Sequence, residues 1–269
     1  MHPQGPTRVT DMGDNQTVRF GDVRMEVLVD GAGPTVVLLP SLGRDSLDFD
    51  PVAHDLAAAG FRVLRPQPRG IGASTGPMDG LDLHDLARDV AEVLERLDAA
   101  PAVVAGHAFG HYVARVLAAD RPDLVRGVAV LAAGARRFPG SLTARVARCS
   151  DLTLPDEERL EELAAVFFAP GHDPSEWLGG WWPEAIIAQR AAMAATDKES
   201  WWTVAPSPLL DVQAGEDVFR PAETRSELVD EFGADKVTTA LIPGCGHALI
   251  PEAPHDVARV VADWIRTLD

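Results

Sequence analysis

The sequence predicts an α/β fold with a mostly parallel central sheet covered by helices on both faces. Short, wholly apolar β-branched runs such as Thr35–Leu39 (TVVLL) recur along the chain, as expected of strands buried on both faces. Between them lie segments with apolar residues at helical spacing, and such strand–helix alternation implies right-handed crossovers and parallel pairing. A hydrophobic content of 46% with 24% charged residues supplies a full core for one domain.

Taken in order, Gln16–Phe20 and Val23–Val29 flank Gly21-Asp22, a dipeptide suited to a tight hairpin. Gly31, Gly33 and Pro34 then break the chain before Thr35–Leu39. The pattern turns helical from Ser46 to Ala59, with Gly60 placed to stop the helix. Phe61–Leu64 is the next expected strand. Leu83, Leu86, Val90, Val93, Leu94 and Leu97 form one apolar helical stripe. Ala102–Ala105 is a buried strand, and Tyr112–Ala119 a helix that Arg121-Pro122 ends. Val128–Ala132, Leu209–Val212 and Val237–Ile242 complete the expected strands, and Asp256–Leu268 is an amphipathic last helix.

From about residue 135 to 206 the rhythm changes. That stretch holds Trp177, Trp181, Trp182, Trp201 and Trp202, five of the chain's six tryptophans, together with Phe167 and Phe168. It reads as a helical cap, 135–206, inserted over the sheet's C-terminal edge, with residues 16–134 and 207–269 forming the core. Tryptophan supplies large, rigid apolar contact surface. The five are therefore candidate contacts for an apolar or aromatic small molecule, with packing of the cap onto the core as the alternative.

A formal charge of −17 excludes nucleic acid and anionic membrane surfaces as expected partners, since both select basic patches. Cys149 and Cys245 are the two cysteines, too few for a disulfide framework, so a reducing compartment is expected. Residues 1–14 lack the apolar core of a secretory signal, and no apolar run approaches the ~18 residues of a spanning helix. The expectation is a cytoplasmic protein with a small-molecule substrate, and self-association is left open.

Gly106-His107-Ala108-Phe109-Gly110 lies between a predicted strand and a predicted helix. This is the setting of the G-x-S-x-G nucleophile elbow, whose flanking glycines let backbone pass too close for a β-carbon. Downstream, Asp217 follows the strand Leu209–Val212, and Gly244-Cys245-Gly246-His247 follows Val237–Ile242. The order nucleophile position, acid, histidine, each just past a strand end, is that of a hydrolytic triad on a parallel sheet.

With these motifs the chain resembles the α/β-hydrolase family from about residue 16 to its end. Arg65-Pro-Gln-Pro-Arg-Gly-Ile-Gly-Ala-Ser74 is similar to the family's P-D-x-R-G-x-G-x-S loop, with Gln67 replacing the usual aspartate, and Gly246-His247 is similar to the catalytic histidine loop. Further departures are Ala108 for serine, Pro40-Ser41-Leu42-Gly43 where relatives often have H-G, and His111 where many have glycine. The G-H-A-F-G elbow, L-P-S-x-G-R and R-P-Q-P-R-G stretches resemble a subgroup with alanine at the nucleophile position. The resemblance implies that Asp217 and His247 form the acid–histidine pair and that the amides of Leu42 and Phe109 form the oxyanion hole.

A methyl group cannot attack a carbonyl, so acyl-enzyme chemistry through position 108 is excluded. Four readings stay open: general-base catalysis by His247 with Asp217, a substitute nucleophile in Ser41, ligand binding without turnover, and a serine hydrolase disabled by substitution at 108. The expected activity is esterase- or lactonase-like, or that of a general-base lyase or oxygenase. His107, His111 and Cys245 read as packing residues. No H-E-x-x-H or paired C-x-x-C occurs, and Gly70-Ile-Gly72 is not a dinucleotide fingerprint. Neither metal nor other cofactor is expected.

Overall fold

A computed structural model describes residues 15–137, 140–203 and 208–268. Its strands are β1 (Gln16–Phe20), β2 (Val23–Asp30), β3 (Thr35–Leu39), β4 (Arg62–Pro66), β5 (Ala102–His107), β6 (Val125–Leu131), β7 (Leu209–Ala214) and β8 (Val237–Ile242). They form one eight-stranded sheet in the order β1-β2-β4-β3-β5-β6-β7-β8. The β1–β2 and β2–β4 pairs are antiparallel and every later pair is parallel. The expected α/β architecture is present. β5 is buried along its whole length, whereas β8, an edge strand, exposes Thr238, Thr239 and Leu241.

Successive strand residues point to opposite faces and fill two cores. Val37, Leu39 and Val104 pack on one face with α2 (Leu83–Arg96) and α3 (Gly110–Asp120). Val36, Leu38, Val103 and Ala105 pack on the other with α1 (Asp50–Ala58) and α10 (Pro254–Ile265). Asp82 caps α2 with a reciprocal bond to Asp85, which fixes where that helix starts.

The segment between β6 and β7 contributes α4 (Gly140–Cys149), α5 (Asp156–Val166), α6 (Pro183–Ala195) and the short α7 (Glu199–Trp202). The upstream edge expected for this insertion, 134/135, falls within the described residues, while the downstream edge, 206/207, falls outside them, as do residues 1–14. Two further short helices, α8 (Glu227–Phe232) and α9 (Leu249–Glu252), lie between β7 and α10. Among the described residues no helix is long and apolar enough to cross a membrane.

Sequence patterns placed strand centres well and ends less well. β6 begins three residues before the expected Val128, because Arg126 and Gly127 break the apolar signature although Val125 and Gly127 pair with Ala102 and Val103 across an irregularity in the ladder. The helical stretch from Ser46 resolves into a 3-10 turn, Ser46–Phe49, before α1. Pro51 at the first turn of α1 needs no N–H partner and suits that junction.

Candidate active site

Four chain segments meet at the C-terminal ends of β3, β5, β7 and β8. After β5 the chain turns sharply into α3. Ala108 has φ +46°, a left-handed conformation that L-residues rarely adopt. A β-carbon on Gly106 would lie 2.3 Å from the carbonyl of Gly110, and one on Gly110 would lie 2.3 Å from Leu39 O. Both glycines are therefore compulsory. The strained turn at 108 is held by Ala108 N–H donating to Leu131 O (3.0 Å) and His111 N–H donating to Ala108 O (3.1 Å).

His247 and Asp217, 30 residues apart, are brought together. His247 Nδ1–H donates to Asp217 Oδ2 at 2.8 Å, and Asp217 Oδ1 accepts from Phe219 N–H at 2.8 Å. Both side chains are buried. The imidazole is walled by Phe219 (centroids 4.3 Å) and Phe167 (5.8 Å). With Nδ1 donating to the carboxylate, Nε2 keeps a lone pair and has no hydrogen-bond partner among the described residues. Beneath it, His107 Nε2–H donates to His247 O at 2.8 Å. Burial and the neighbouring His247 push the His107 pKa down to about 3, so His107 is a neutral buried prop for the histidine loop. Glu252 fastens the same loop, accepting from Gly246 N–H and Ala169 N–H, each at 2.6 Å.

The loop Pro40–Arg44 closes the opposite side. Gly43 N–H donates to Gln189 Oε1 (2.8 Å), Trp182 N–H donates to Gly43 O (3.0 Å), and a β-carbon on Gly43 would strike Ile186. Helix α6 thus clamps this loop from one flank. Neither Leu42 N–H nor Phe109 N–H donates to an acceptor among the described residues, so two backbone donors stand uncommitted beside Ala108. Ser41 borders the same space, and its hydroxyl makes no hydrogen bond to His247. Gln67, at the family's usual aspartate position, is buried and accepts from Ser46 N–H at 2.9 Å, a structural tie.

Ala108, His247, Ser41, Leu42 and Phe109 all line one cavity of about 440 Å³, with a largely apolar wall that includes Val146, Phe167, Met193 and Phe219. This volume lies in the ~300–1,000 Å³ range of small-ligand sites. Of the five tryptophans expected to touch a ligand, Trp181 alone borders it. Trp177 is buried behind, stacked edge-on with Phe167 and Trp181 and lying 4.7 Å from the Arg44 guanidinium. Trp201 and Trp202 pack into the core beneath α3, where they flank buried Arg115. Trp182 precedes α6 and is outside the wall. The expectation is corrected for these four: none borders the cavity, and Trp177, Trp201 and Trp202 are buried in hydrophobic clusters instead.

The wall also contains residues the sequence did not single out, namely Tyr112, Gly134, Thr143, Arg190 and Ala194. His111, read as packing, is also in the wall, and its buried Nδ1 has no hydrogen-bond partner among the described residues. Burial and nearby Arg115 hold His111 far below the usual histidine pKa, so it is a neutral imidazole. Cys245 is buried and its thiol is pushed up to about 11, which removes it as a thiolate nucleophile beside His247. No group of histidine, cysteine and carboxylate side chains suited to a metal occurs among the described residues.

With this geometry in place, the alpha/beta hydrolase fold family model matches residues 34–179, more than half of the chain, and the protein belongs to that family. A protein named provisionally as the carbamate hydrolase RutD, from Variovorax paradoxus, is 28% identical over 229 residues, covering 80% of this chain and 85% of its own. A soluble epoxide hydrolase from Corynebacterium is 35% identical over 108 residues, 40% of this chain and 37% of its own. A thermophilic esterase from Thermogutta terrifontis superposes with a TM-score of 0.77 over 95% of this chain and 99% of its own; at 21% identity that likeness speaks to fold alone.

Proposed function

We propose that this protein is an enzyme acting on a small apolar ester, lactone or related carbonyl compound, in which Asp217 and His247 activate water and no side chain at 108 attacks. The observation that carries this reading is the 2.8 Å His247–Asp217 bond at a cavity that Ala108, Leu42 and Phe109 also line. In this mechanism the carbonyl oxygen sits between the Leu42 and Phe109 amides. A water molecule, in the space a serine hydroxyl would fill, attacks the carbonyl carbon as His247 Nε2 takes its proton. Asp217 holds the tautomer that makes this possible and stabilises the imidazolium. The tetrahedral intermediate, its charge held by the two amides, then expels the leaving oxygen, which takes the proton from His247. Positioned proton transfer of this kind is worth ~10²–10⁴-fold, so a slow enzyme or an activated substrate is expected.

The left-handed conformation kept at Ala108 favours a second reading, a serine hydrolase disabled by loss of one hydroxyl. Relatives named as carbamate and epoxide hydrolases support a hydrolytic role under either reading. The insertion acts as a cap in both, with Trp181 as its aromatic contact.

The test is a panel of aryl esters and lactones, assayed with the unmodified protein and His247→Ala. Turnover is expected to fall at least ~100-fold in the variant. No acyl adduct should be seen by intact mass during single turnover. Undiminished turnover in His247→Ala, or a covalent adduct on Ser41, would remove the proposal.

A further inference from the structure

Among the described residues the cavity wall holds one permanently charged side chain. Arg190 borders it from α6, beside Met193 and Ala194 one turn further on. Residues three and four apart share a helix face, so these three form a single surface towards the cavity. Within α6 the only other charged residue is Glu184, on the exposed first turn.

Most buried arginines of this chain are tied down. Arg44 binds Asp48 with two nitrogens, Arg69 binds Asp89 likewise, and Arg220 reaches Asp211 at 3.2 Å. Arg190 has no carboxylate, carbonyl or aromatic partner among the described residues. It is half-buried in a wall otherwise dominated by apolar side chains. A guanidinium presents a rigid fork of donors that fits a carboxylate with two parallel bonds. Placed in an apolar wall, it selects a ligand that brings its own anion.

The neighbouring polar groups do not compete for that role. His111 is held neutral, and burial raises the Tyr112 phenol above its ordinary value, so it too is uncharged. The chain's net charge of −17 repels anions at long range. Screening confines that repulsion to ~8 Å at physiological salt, and a direct guanidinium contact outweighs it.

We infer that the substrate is an acid as well as a carbonyl compound: an ester, lactone or amide carrying a free carboxylate that Arg190 receives while the reacting carbonyl lies at Ala108. Helix α6 links the two ends. Gln189, the residue before Arg190, holds Gly43 N–H and so fixes the loop that carries the Leu42 amide. A carboxylate drawn to Arg190 therefore meets the same helix that sets the oxyanion donor. This inference rests on the cavity being the substrate site.

Calorimetric titration with 4-phenylbutanoate and its uncharged amide tests it without turnover. The acid is expected to bind ~10–100-fold more tightly than the amide, the range a charge-assisted bond supplies. Arg190→Gln should remove that preference without changing the melting temperature, since Arg190 has no internal partner to lose among the described residues. Arg190→Lys should keep part of it, as charge without the fork. No binding of the acid at millimolar concentration, equal affinity for acid and amide, or a preference that survives Arg190→Gln would each overturn the inference. The last would place the anion at His247 instead. His247→Ala should keep the acid preference, so failure of the catalytic reading and failure of this one are separately visible.

Discussion

The replacement Gly110→Ala puts the elbow under direct stress, and its size follows from the packing. The new β-carbon would sit 2.3 Å from Leu39 O and 2.8 Å from both Leu39 C and Pro40 O. All three are backbone atoms, so no rotamer change relieves the clash, and the end of β3 must move by about 1 Å to reach ordinary contact. Leu39 is paired with Gly106 in the β3–β5 ladder, so the movement also pulls on the strand that carries the elbow. Overpacking of this kind costs ~1–3 kcal/mol. At ~2–4 °C per kcal/mol for a large domain, the melting temperature should fall by about 2–12 °C. The functional effect should be larger in proportion. Leu42 and Phe109 lie on opposite sides of that contact, and a displacement of ~1 Å in a catalytic constellation costs on the order of 100-fold. Thermal denaturation followed by circular dichroism and turnover of the best ester of the panel measure the two effects. Gly140→Ala, where nothing lies within 4 Å of the added carbon, is the control and should be silent in both. A Gly110→Ala protein with native stability and native turnover would refute the elbow geometry.

Two further outcomes are expected. Asp217→Asn keeps the shape but frees the imidazole to take the wrong tautomer, and kcat should fall by up to ~10⁴-fold with KM little changed; an unaltered kcat would show that the pair is structural. His107 and His111 have folded pKa values below their unfolded ones, so both are neutral in folded and unfolded chains above about pH 6.5 and cost nothing there. As pH falls below 6.5 the unfolded chain takes protons the native state refuses, and His107 alone removes ~1.4 kcal/mol of stability per pH unit down to about pH 3. Urea titrations between pH 6 and 4 should show a shallower loss in His107→Gln, which keeps a donor for His247 O; an identical slope would contradict the buried-neutral assignment.

The elbow was legible in the sequence because backbone contact leaves no choice at Gly106 and Gly110, so the glycines announce the turn whatever stands between them. Asp217 and His247 were legible for a related reason: each follows a segment readable as a sheet strand, Leu209–Val212 or Val237–Ile242, and strand ends in a parallel sheet collect at one edge. The tryptophans were not. Composition says that such side chains need covering, but not on which side of a helix they lie; Trp177, Trp201 and Trp202 are buried in clusters away from the cavity wall, and Trp182 does not border it. Arg190 was missed because its meaning comes from what surrounds it. A single arginine within an alanine-rich helix, AIIAQRAAMAA, is a visible oddity, yet only the packing of α6 over Gly43 puts it at the cavity. His111 was noticed as a departure from glycine, but its bare Nδ1 and its place in the wall depend on α3 being set against the insertion.

In the proposed mechanism a histidine base, its acid and two oxyanion donors stand assembled around a position that lacks only a nucleophile. Ala108→Ser adds one oxygen at that position, and a fluorophosphonate probe followed by peptide mass spectrometry reads the result. The unmodified protein is expected to stay unlabelled, Ala108→Ser to label in full at position 108, and Ala108→Ser combined with His247→Ala to lose the label. An Ala108→Ser protein that folds and stays unlabelled, or labelling of the unmodified protein at Ser41, would contradict it.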